Sequence, residues 1–220
     1  MKKTIIFSII MLIFSEIYSQ ETLAKDPKAT EILDKVSKKT KSFETIRIKF
    51  SYTLENTKAN AKETYTGYAF LKGNKYKLIL AGTDIFTDGK NLYSYLKDAQ
   101  EMTITLPKED DDNIFNPAKL FTVYEKGFKY QYLGEETENS KKFEIIDLFP
   151  EQVKKKNYSR IRLKIDAKEL IISSIKSFGK DGNHYTIDVT EFKTNLKMPE
   201  NLFEYDSAKY PGEVIDLRNE

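Results

Sequence analysis

The chain has 220 residues, of which 36 are Lys or Arg and 34 are Asp or Glu, so its formal net charge is only +2. A chain balanced in this way has no electrostatic reason to bind nucleic acid. It contains no cysteine, which excludes disulfides, zinc–thiolate sites and thiol nucleophiles together. Its length suits one domain with a sizeable hydrophobic core.

The first twenty residues have the pattern of a secretory signal peptide. Two lysines precede an almost unbroken apolar run from Ile5 to Phe14, and Ser19 is small enough for a signal peptidase to accept. The run is too short to span a bilayer as a stable helix, and a buried N-terminal helix is the alternative. We therefore predict a signal peptide at residues 1–19, export from the cytoplasm, and a single soluble domain at residues 20–220.

A helical pattern follows the predicted signal peptide. Asp26 suits the N-cap and Pro27 the first helical position. Apolar residues then recur at the spacing of one helical face, opposite several lysines. The pattern predicts an amphipathic helix of about four turns, whose apolar face consists of Ala29, Ile32, Leu33, Val36 and Phe43.

From residue 44 onward the apolar period changes to two, which is typical of half-buried strands. Gly73-Asn74 and Asp88-Gly89 are turn pairs suited to positive φ, so they predict tight hairpins. We predict the first six strands at residues 44–54, 65–72, 76–80, 84–87, 92–96 and 102–106.

The acidic run from Glu109 to Asp112 interrupts the strands. Pro117 to Tyr124 then predicts a short helix with Leu120, Phe121 and Tyr124 on one side. Five further strands are predicted at residues 129–134, 142–148, 159–166, 170–178 and 184–192.

Together these elements predict the fold class. About ten to eleven consecutive strands with hairpin connections form an antiparallel sheet, and few helices are available to cover it. Because the outer face is already polar, the sheet must curl so that its apolar face is concave. We therefore expect an α+β fold, an unclosed antiparallel β-barrel with helices covering the concave hydrophobic face.

Residues for ordinary enzyme chemistry are scarce. His184 is the only histidine and lies beside a predicted turn, where we expect a plain surface role. No G-x-S-x-G elbow, P-loop or dinucleotide fingerprint is present, although the abundant acids leave a glycosidase-like carboxylate pair open. The acidic run lacks the ligand spacing of an EF-hand, so a solvated loop is favoured over a calcium site. We expect no catalytic residues, no metal and no cofactor.

The chain is rich in aromatic residues, with 14 Tyr and 14 Phe. Many tyrosines lie on predicted strands, and a ring with a polar tip suits the wall of a pocket that holds an amphiphile. The alternative is that these rings simply pack the sheet. Because helices are few, the number of rings favours a cavity.

Five stretches of the sequence, taken in order, carry a family resemblance. The most recognisable is a D-G-K hairpin followed by alternating aromatics, from Thr87 to Tyr95. The others are Ser42 to Phe50, Gly67 to Lys72, Asn116 to Phe121, and a C-terminal ending made of Leu202 to Tyr205, Tyr210 to Gly212 and Val214 to Asp216. With these stretches the chain resembles the LolA-like outer-membrane lipoprotein carrier protein family over nearly the whole mature sequence.

This resemblance implies an unclosed β-barrel whose mouth is covered by helices. It also implies a periplasmic carrier, or chaperone, that receives acylated lipoproteins from an inner-membrane lipoprotein-releasing transporter and takes them toward a possible outer-membrane acceptor. The stretch at 116–121 lies where the family carries a lid helix over its hydrophobic cavity. We expect such a carrier to be a monomer.

One position departs from the family pattern. Well-studied members carry an arginine directly after the lysine that matches Lys72, and this arginine holds the lid shut through hydrogen bonds. Here the position is Gly73, so the lid must be latched differently or controlled less tightly. Lys72 and Lys75 are nearby cations, but neither is assigned the role of the latch.

We predict that acyl chains bind in the cavity through burial of methylene groups, at about 0.8 kcal/mol each. Two alternatives stay open, a carrier or sensor of another amphiphile and a partner-binding domain whose core is filled by its own side chains. The predicted cavity and lid residues are Leu33, Ile48, Phe50, Tyr52, Ala69, Leu71, Tyr76, Leu78, Ile104, Leu120, Phe121 and Tyr124.

Overall fold

A computed structural model describes residues 26–107, 117 and 123–219 of the chain. The predicted signal peptide at 1–19 and the acidic run at 109–112 lie outside the described residues. Within the described part, no helix is long and apolar enough to cross a membrane.

The described part of the chain consists mainly of strands. One α-helix, α1 (Pro27–Lys41), precedes them, and one-turn 3-10 helices lie at Val123–Glu125, Val153–Lys155 and Glu200–Leu202. The strands are β1 (Thr45–Asn56), β2 (Ala61–Lys72), β3 (Lys75–Leu80), β4 (Thr83–Thr87), β5 (Leu92–Leu96), β6 (Glu101–Thr105), β7 (Phe128–Glu138), β8 (Lys141–Pro150), β9 (Tyr158–Asp166), β10 (Ile171–Gly179), β11 (Asn183–Thr194) and β12 (Glu213–Asp216).

The strands form one 12-stranded sheet in the order β12-β6-β5-β4-β3-β2-β1-β11-β10-β9-β8-β7. The two ends of this order, β12 and β7, do not pair with each other, so the sheet is unclosed as predicted. Near the middle of the sheet β1 pairs with β11, although the two strands are more than a hundred residues apart in the sequence.

The prediction of about ten to eleven antiparallel strands was wrong in two respects, both at β12. This strand was missed, and it runs parallel to β6, so the sheet is mixed. β12 has four residues and little alternation, which leaves almost no pattern to detect. The residue before β12, Gly212, lies against the turn between β5 and β6. A Cβ on Gly212 would lie 1.8 Å from the carbonyl oxygen of Gln100, so only glycine fits there.

The register of the strands divides their side chains between two faces, because directly paired residues point to the same side. Ile48, Ala69 and Leu78 are paired in succession across β1, β2 and β3. They belong to a large core that also contains the buried residues of α1, and we call this side of the sheet the α1 face. Its main members are Ile46, Ile48, Phe50, Ala69, Leu71, Tyr76, Leu78, Tyr130, Ile146, Leu148, Ile161, Leu163, Ile165, Ile172, Ile175 and Ile187.

The helix α1 begins where the sequence predicts it and packs against β7 and β10. The Asp26 carboxylate accepts hydrogen bonds from the backbone N–H groups of Lys28 (2.8 Å) and Ala29 (3.2 Å), donors that a first turn leaves unpaired. Its second oxygen accepts from the N–H of Tyr132 (3.2 Å) on β7. One carboxylate therefore caps the helix and holds it at the edge of the sheet.

A second, smaller core lies on the opposite face of β4, β5 and β6. It contains Phe86, Tyr93, Tyr95, Met102 and Ile104. Residues 200–212, which we call the C-terminal segment, cover it with Tyr205 and Tyr210. The Tyr210 ring stacks on Phe86 with 5.0 Å between centroids. Its hydroxyl accepts a hydrogen bond of 2.6 Å from the Lys77 ammonium. The sheet is therefore apolar on both sides in this half, and the C-terminal segment is part of its packing.

Candidate functional site

The α1 face contains an apolar cleft over the central strands. Its walls come from β1, β2, β3 and β11, and Pro117 contributes to the lining from outside the sheet. The lining residues are Ile48, Phe50, Ala69, Leu78, Leu80, Pro117, Ile187 and Val189. These side chains offer no hydrogen bond and no charge, so the cleft can hold only apolar groups.

The cleft is almost filled in this conformation. The cavity inside it measures about 20 Å³, while the whole cleft, including space open to solvent, measures about 360 Å³. A volume of 20 Å³ holds about one water molecule, which is too little for an acyl chain. Any long apolar ligand therefore requires the walls or the cover at Pro117 to move.

Phe50 and Gly67 set the depth of the cleft together. They are paired across β1 and β2, and the phenyl ring of Phe50 lies across the glycine. A Cβ built on Gly67 would lie 2.3 Å from Cζ of the ring, far inside van der Waals contact. The absence of a side chain at position 67 therefore allows the ring to rest against β2 instead of projecting into the cleft.

Three stacked tyrosines form a shelf that extends the apolar surface beyond the cleft. The ring of Tyr52 lies between those of Tyr65 and Tyr185, at centroid distances of 6.5 and 6.4 Å. Tyr52 is paired with Ile187, a cleft residue, and Tyr65 is 40% exposed. Burial and the neighbouring phenols raise the pKa of Tyr52. The shelf offers flat rings with polar tips, which suit the boundary between an acyl chain and its polar head.

The chain that follows the predicted lid is tied to α1. The Glu125 carboxylate accepts hydrogen bonds from the Ser37 hydroxyl and the Lys41 ammonium, both at 2.6 Å. Desolvation opposes ionisation of Glu125, but the bonds from Lys41 and Ser37 outweigh it and lower its pKa. Tyr124 beside it is buried, and burial raises the pKa of its phenol. This group of bonds, which we call the α1 latch, lies at a cavity of about 290 Å³ lined by Leu33 and Tyr130 among others.

The structure brings most of the predicted cavity residues together. Ile48, Phe50, Ala69 and Leu78 line the cleft. Five more belong to or pack against the same core, namely Leu33, Tyr52, Leu71, Tyr76 and Tyr124. Their part in ligand binding stays a prediction.

Three predicted residues do not join this group. Ile104 lies in the core on the opposite face, under the C-terminal segment, so it has no access to the cleft. Leu120 and Phe121 lie outside the described residues.

Several cleft residues were not predicted. Leu80, Ile187 and Val189 alternate correctly on strands that the sequence does predict, but β11 follows β1 by more than a hundred residues in the chain. Ile187 and Val189 lie beside Ile48 and Phe50 because β1 pairs with β11, whereas Leu80 reaches the cleft through the pairing of β3 with β2. No local signal in the sequence indicates the pairing of β1 with β11.

The position of the missing family arginine is a tight turn. Gly73 has φ of +58° between β2 and β3, a conformation that suits glycine. The flanking Lys72 and Lys75 both form ion pairs with Glu200 in the C-terminal segment. Among the described residues, Lys72 and Lys75 therefore form ion pairs with the C-terminal segment. The group that binds α1 is Glu125.

Catalysis by His184 and metal binding would each require a particular placement of side chains in the described residues. His184 packs edge-on against Phe178 with 5.1 Å between ring centroids, near a turn as expected. Across residues 26–107, 117 and 123–219, no group of three or more His, Asp or Glu side chains is arranged to hold a metal ion.

The described residues thus form a large unclosed sheet with an apolar cleft on the face that carries α1. A family model described as outer membrane lipoprotein carrier protein LolA matches residues 41–206. The match covers most of the chain, and the chain belongs to this family.

Comparisons with individual proteins agree on the fold. A crystal structure of an uncharacterized conserved protein from Thermus thermophilus gives a TM-score of 0.60 at 12% identity, covering 86% of this chain and 99% of that one. Lipoprotein LppX of Mycobacterium tuberculosis gives a TM-score of 0.52 at 11% identity, covering 80% of this chain and all of that one (100%). At these identities the likeness concerns the fold alone.

One further protein is similar to this chain in sequence. An uncharacterized protein of Methanocaldococcus jannaschii is 27% identical over 140 residues, which is 63% of this chain and 39% of that protein. The match therefore spans about two fifths of the length of this relative.

Proposed function

We propose that the protein is a periplasmic carrier that binds the acyl chains of lipoproteins in the α1-face cleft and takes them from the inner to the outer membrane. In this proposal residues 1–19 direct export and residues 20–220 form the carrier domain. The single observation that supports it most strongly is a cleft with an entirely apolar lining in a chain of the lipoprotein-carrier family.

The cleft chemistry suits acyl chains rather than a reaction. Each buried methylene contributes about 0.8 kcal/mol, so a few chains supply ample affinity without any polar contact. The lining has no titratable group, so we propose no catalytic role. The carrier acts as a monomer, without cofactor or metal.

Uptake requires the cleft to open, because its cavity of about 20 Å³ is far smaller than an acyl chain. We propose that the segment running from Pro117 to Glu125 moves away from the cleft, with predicted lid residues Leu120 and Phe121 on it. In the proposed closed state, the bonds of Glu125 to α1 would hold the end of that segment. Helices would then cover the concave apolar face until cargo arrives.

The proposed partners follow from this task. The carrier would receive its cargo from an inner-membrane lipoprotein-releasing transporter and release it to an outer-membrane acceptor. Release is feasible because burial of acyl chains is non-directional and an acceptor with a similar apolar surface competes on equal terms.

The test compares two substitutions at neighbouring positions of β3. Leu80 lines the cleft, whereas Ile79 points to the opposite face because it is paired with Tyr68 and Asp84. Both residues are half-buried. We expect Leu80→Trp to fill the cleft and weaken binding of a synthetic acylated lipopeptide about tenfold, or about 1.4 kcal/mol. Ile79→Trp is the matched control and should bind like the unmodified protein.

Binding is measured by displacement of a fluorescent fatty acid from the purified mature protein, with the same peptide lacking acyl chains as a second control. Equal binding by the two tryptophan variants would contradict the proposal. Native mass spectrometry of protein purified from the periplasm identifies the cargo. A bound free lipid instead of an acylated polypeptide would indicate a carrier or sensor of another amphiphile.

One observation favours a second candidate function. The cleft is almost filled by the side chains of the protein itself, as expected for a partner-binding domain with a solid core. In that case neither acylated peptide nor fatty acid would bind, and Leu80→Trp would change stability alone. A hydrolase screen with His184→Ala as control tests the remaining enzyme alternative.

A further inference from the structure

Several turns meet at one end of the sheet, remote from the turns that join β7 to β8 and β9 to β10. The N–H of Thr57 in the β1–β2 turn donates to the carbonyl of Gly182 in the β10–β11 turn (3.0 Å). The N–H of Lys180 donates to Asn157 at the end of the β8–β9 loop (2.9 Å). At the other end of that loop, the N–H of Glu151 donates to Gly127 before β7 (2.9 Å). These bonds join the four segments into one continuous rim.

The rim is strongly basic. We call it the lysine rim, and it consists of residues 57–60, 126–127, 151–157 and 180–182. Its charged side chains are six lysines and two acids, Lys58, Lys126, Lys154, Lys155, Lys156, Lys180, Glu151 and Asp181.

The lysines of the rim are largely available to a partner. All of them except the half-buried Lys156 are exposed. Among the ion pairs formed between described residues, none involves Lys154, Lys155 or Lys180. Lys164 and Lys176 elsewhere in the sheet are, by contrast, paired with glutamates.

The β8–β9 loop within the rim has a defined shape. The Lys180 ammonium donates to the carbonyls of Val153 and Lys156, which holds the one-turn helix at Val153–Lys155 in place. Val153 points outward and is 52% exposed. The loop therefore presents an apolar tip surrounded by cations, on a support that is already ordered.

We propose that the lysine rim is a docking surface for an anionic membrane. Each lysine near an anionic leaflet contributes about 1 kcal/mol of attraction, and an exposed valine among lysines can enter the boundary between headgroups and acyl chains. The cations are lysines and none is arginine. The lysine ammonium is a point charge, which suits the spread-out negative charge of a lipid surface. Carboxylates on an acidic protein surface are typically bound by arginine, whose guanidinium forms bidentate hydrogen bonds.

The position of the rim connects docking to the cleft. Lys126 follows directly after Glu125 of the α1 latch, so the docking surface begins next to the point where this part of the chain is bound to α1. This proposal concerns where the protein meets a membrane and holds for any cargo, so it stands or falls separately from the proposed function.

The experiment measures sedimentation of the purified mature protein with vesicles. Vesicles of phosphatidylglycerol and phosphatidylcholine are compared with vesicles of phosphatidylcholine alone. We expect binding to the anionic vesicles only, lost at high salt because screening shortens the range of the attraction. Lys154→Gln/Lys155→Gln should bind them about 30-fold more weakly, given two lysines at about 1 kcal/mol each.

The matched control is Lys141→Gln/Lys168→Gln, which removes the same charge at the other end of the sheet. Both residues are exposed, and their turns lie together because Ala167 N–H donates to the carbonyl of Lys142 (3.0 Å). This pair should leave vesicle binding unchanged. Val153→Ser should weaken it without changing the salt dependence.

Equal binding by the two lysine pairs overturns the proposal. So does failure of the unmodified protein to sediment with anionic vesicles, even if the rim then captures an acidic protein. Thermal unfolding of each variant checks that the fold is intact, and none of the four lysines is buried.

Discussion

The contact between Gly67 and Phe50 allows a quantitative test of how the cleft is built. Adding a methyl group in Gly67→Ala places Cβ at 2.3, 2.7 and 2.9 Å from three ring atoms of Phe50, so the ring must retreat by roughly 1 Å to regain normal contact. Overpacking of this kind costs about 1–3 kcal/mol. Replacing glycine by alanine within a strand returns about 0.5–1 kcal/mol. The difference between these two effects lowers the expected free energy of unfolding by up to about 2.5 kcal/mol.

A double-mutant cycle isolates the contact. In a Phe50→Ala background the clash is absent, so Gly67→Ala should there stabilise the protein by about 0.5–1 kcal/mol. Urea unfolding measures all four proteins, and an unchanged m-value confirms that the comparison is valid. Because the displaced ring borders the cleft, Gly67→Ala alone should also weaken fatty-acid binding. If Gly67→Ala has the same effect in both backgrounds, within about 0.5 kcal/mol, the ring does not depend on the glycine and the reasoning fails.

Two further predictions concern charged groups. Glu125→Gln should weaken the α1 latch by about 1 kcal/mol, since Lys41 is largely exposed and its ion pair is screened, and hydrogen exchange around residues 123–125 should become several-fold faster. The pKa of Glu125 is lower in the folded state, so the latch stabilises the fold fully at neutral pH and is lost as the pH falls below about 4. Below that pH, Glu125→Gln and the unmodified protein should have the same exchange rates. The buried carboxylate of Asp147 accepts hydrogen bonds from Arg162 Nε (2.7 Å) and Arg160 Nη1 (3.1 Å). Both arginines are about one third exposed, so solvent screens these ion pairs. Asp147→Asn should therefore lower the free energy of unfolding, measured in urea, by about 2 kcal/mol. The exposed Asp188→Asn on the same face is its control and should stay within about 0.5 kcal/mol.

Features decided by neighbouring residues were predictable from the sequence. Asp26 and Pro27 start α1 as their cap and first-turn preferences indicate. The turn pairs at Gly73 and Gly89 adopt positive φ, +58° and +94°, as tight hairpins require. Period-two alternation located most strands within a few residues, because it reports directly on which backbone positions face the core.

The sequence did not predict which face of the sheet the apolar residues around β4 and β5 point to. Around β4 and β5 both faces carry apolar residues, with Ile85 and Leu92 on the α1 face and Phe86 and Tyr93 on the other. Alternation therefore has the right period but no defined phase. Ile104 was assigned to the cavity for this reason, and the residue that decides its environment, Tyr210, lies over a hundred positions later in the chain.

The pairing of β1 with β11 has a consequence for how the chain acquires its structure. Ile46 to Asn56 find their partners at residues 183–194, and β6 finds β12 at residues 213–216, so the cleft cannot form until almost the whole chain is available. Contacts this distant in sequence are associated with slow folding, because a long loop must close before any pairing energy is gained. In the export that we propose, this delay would be useful. A chain still lacking its last strands would stay extended enough to pass through a translocation channel, and the binding surface would form only after the passage is complete.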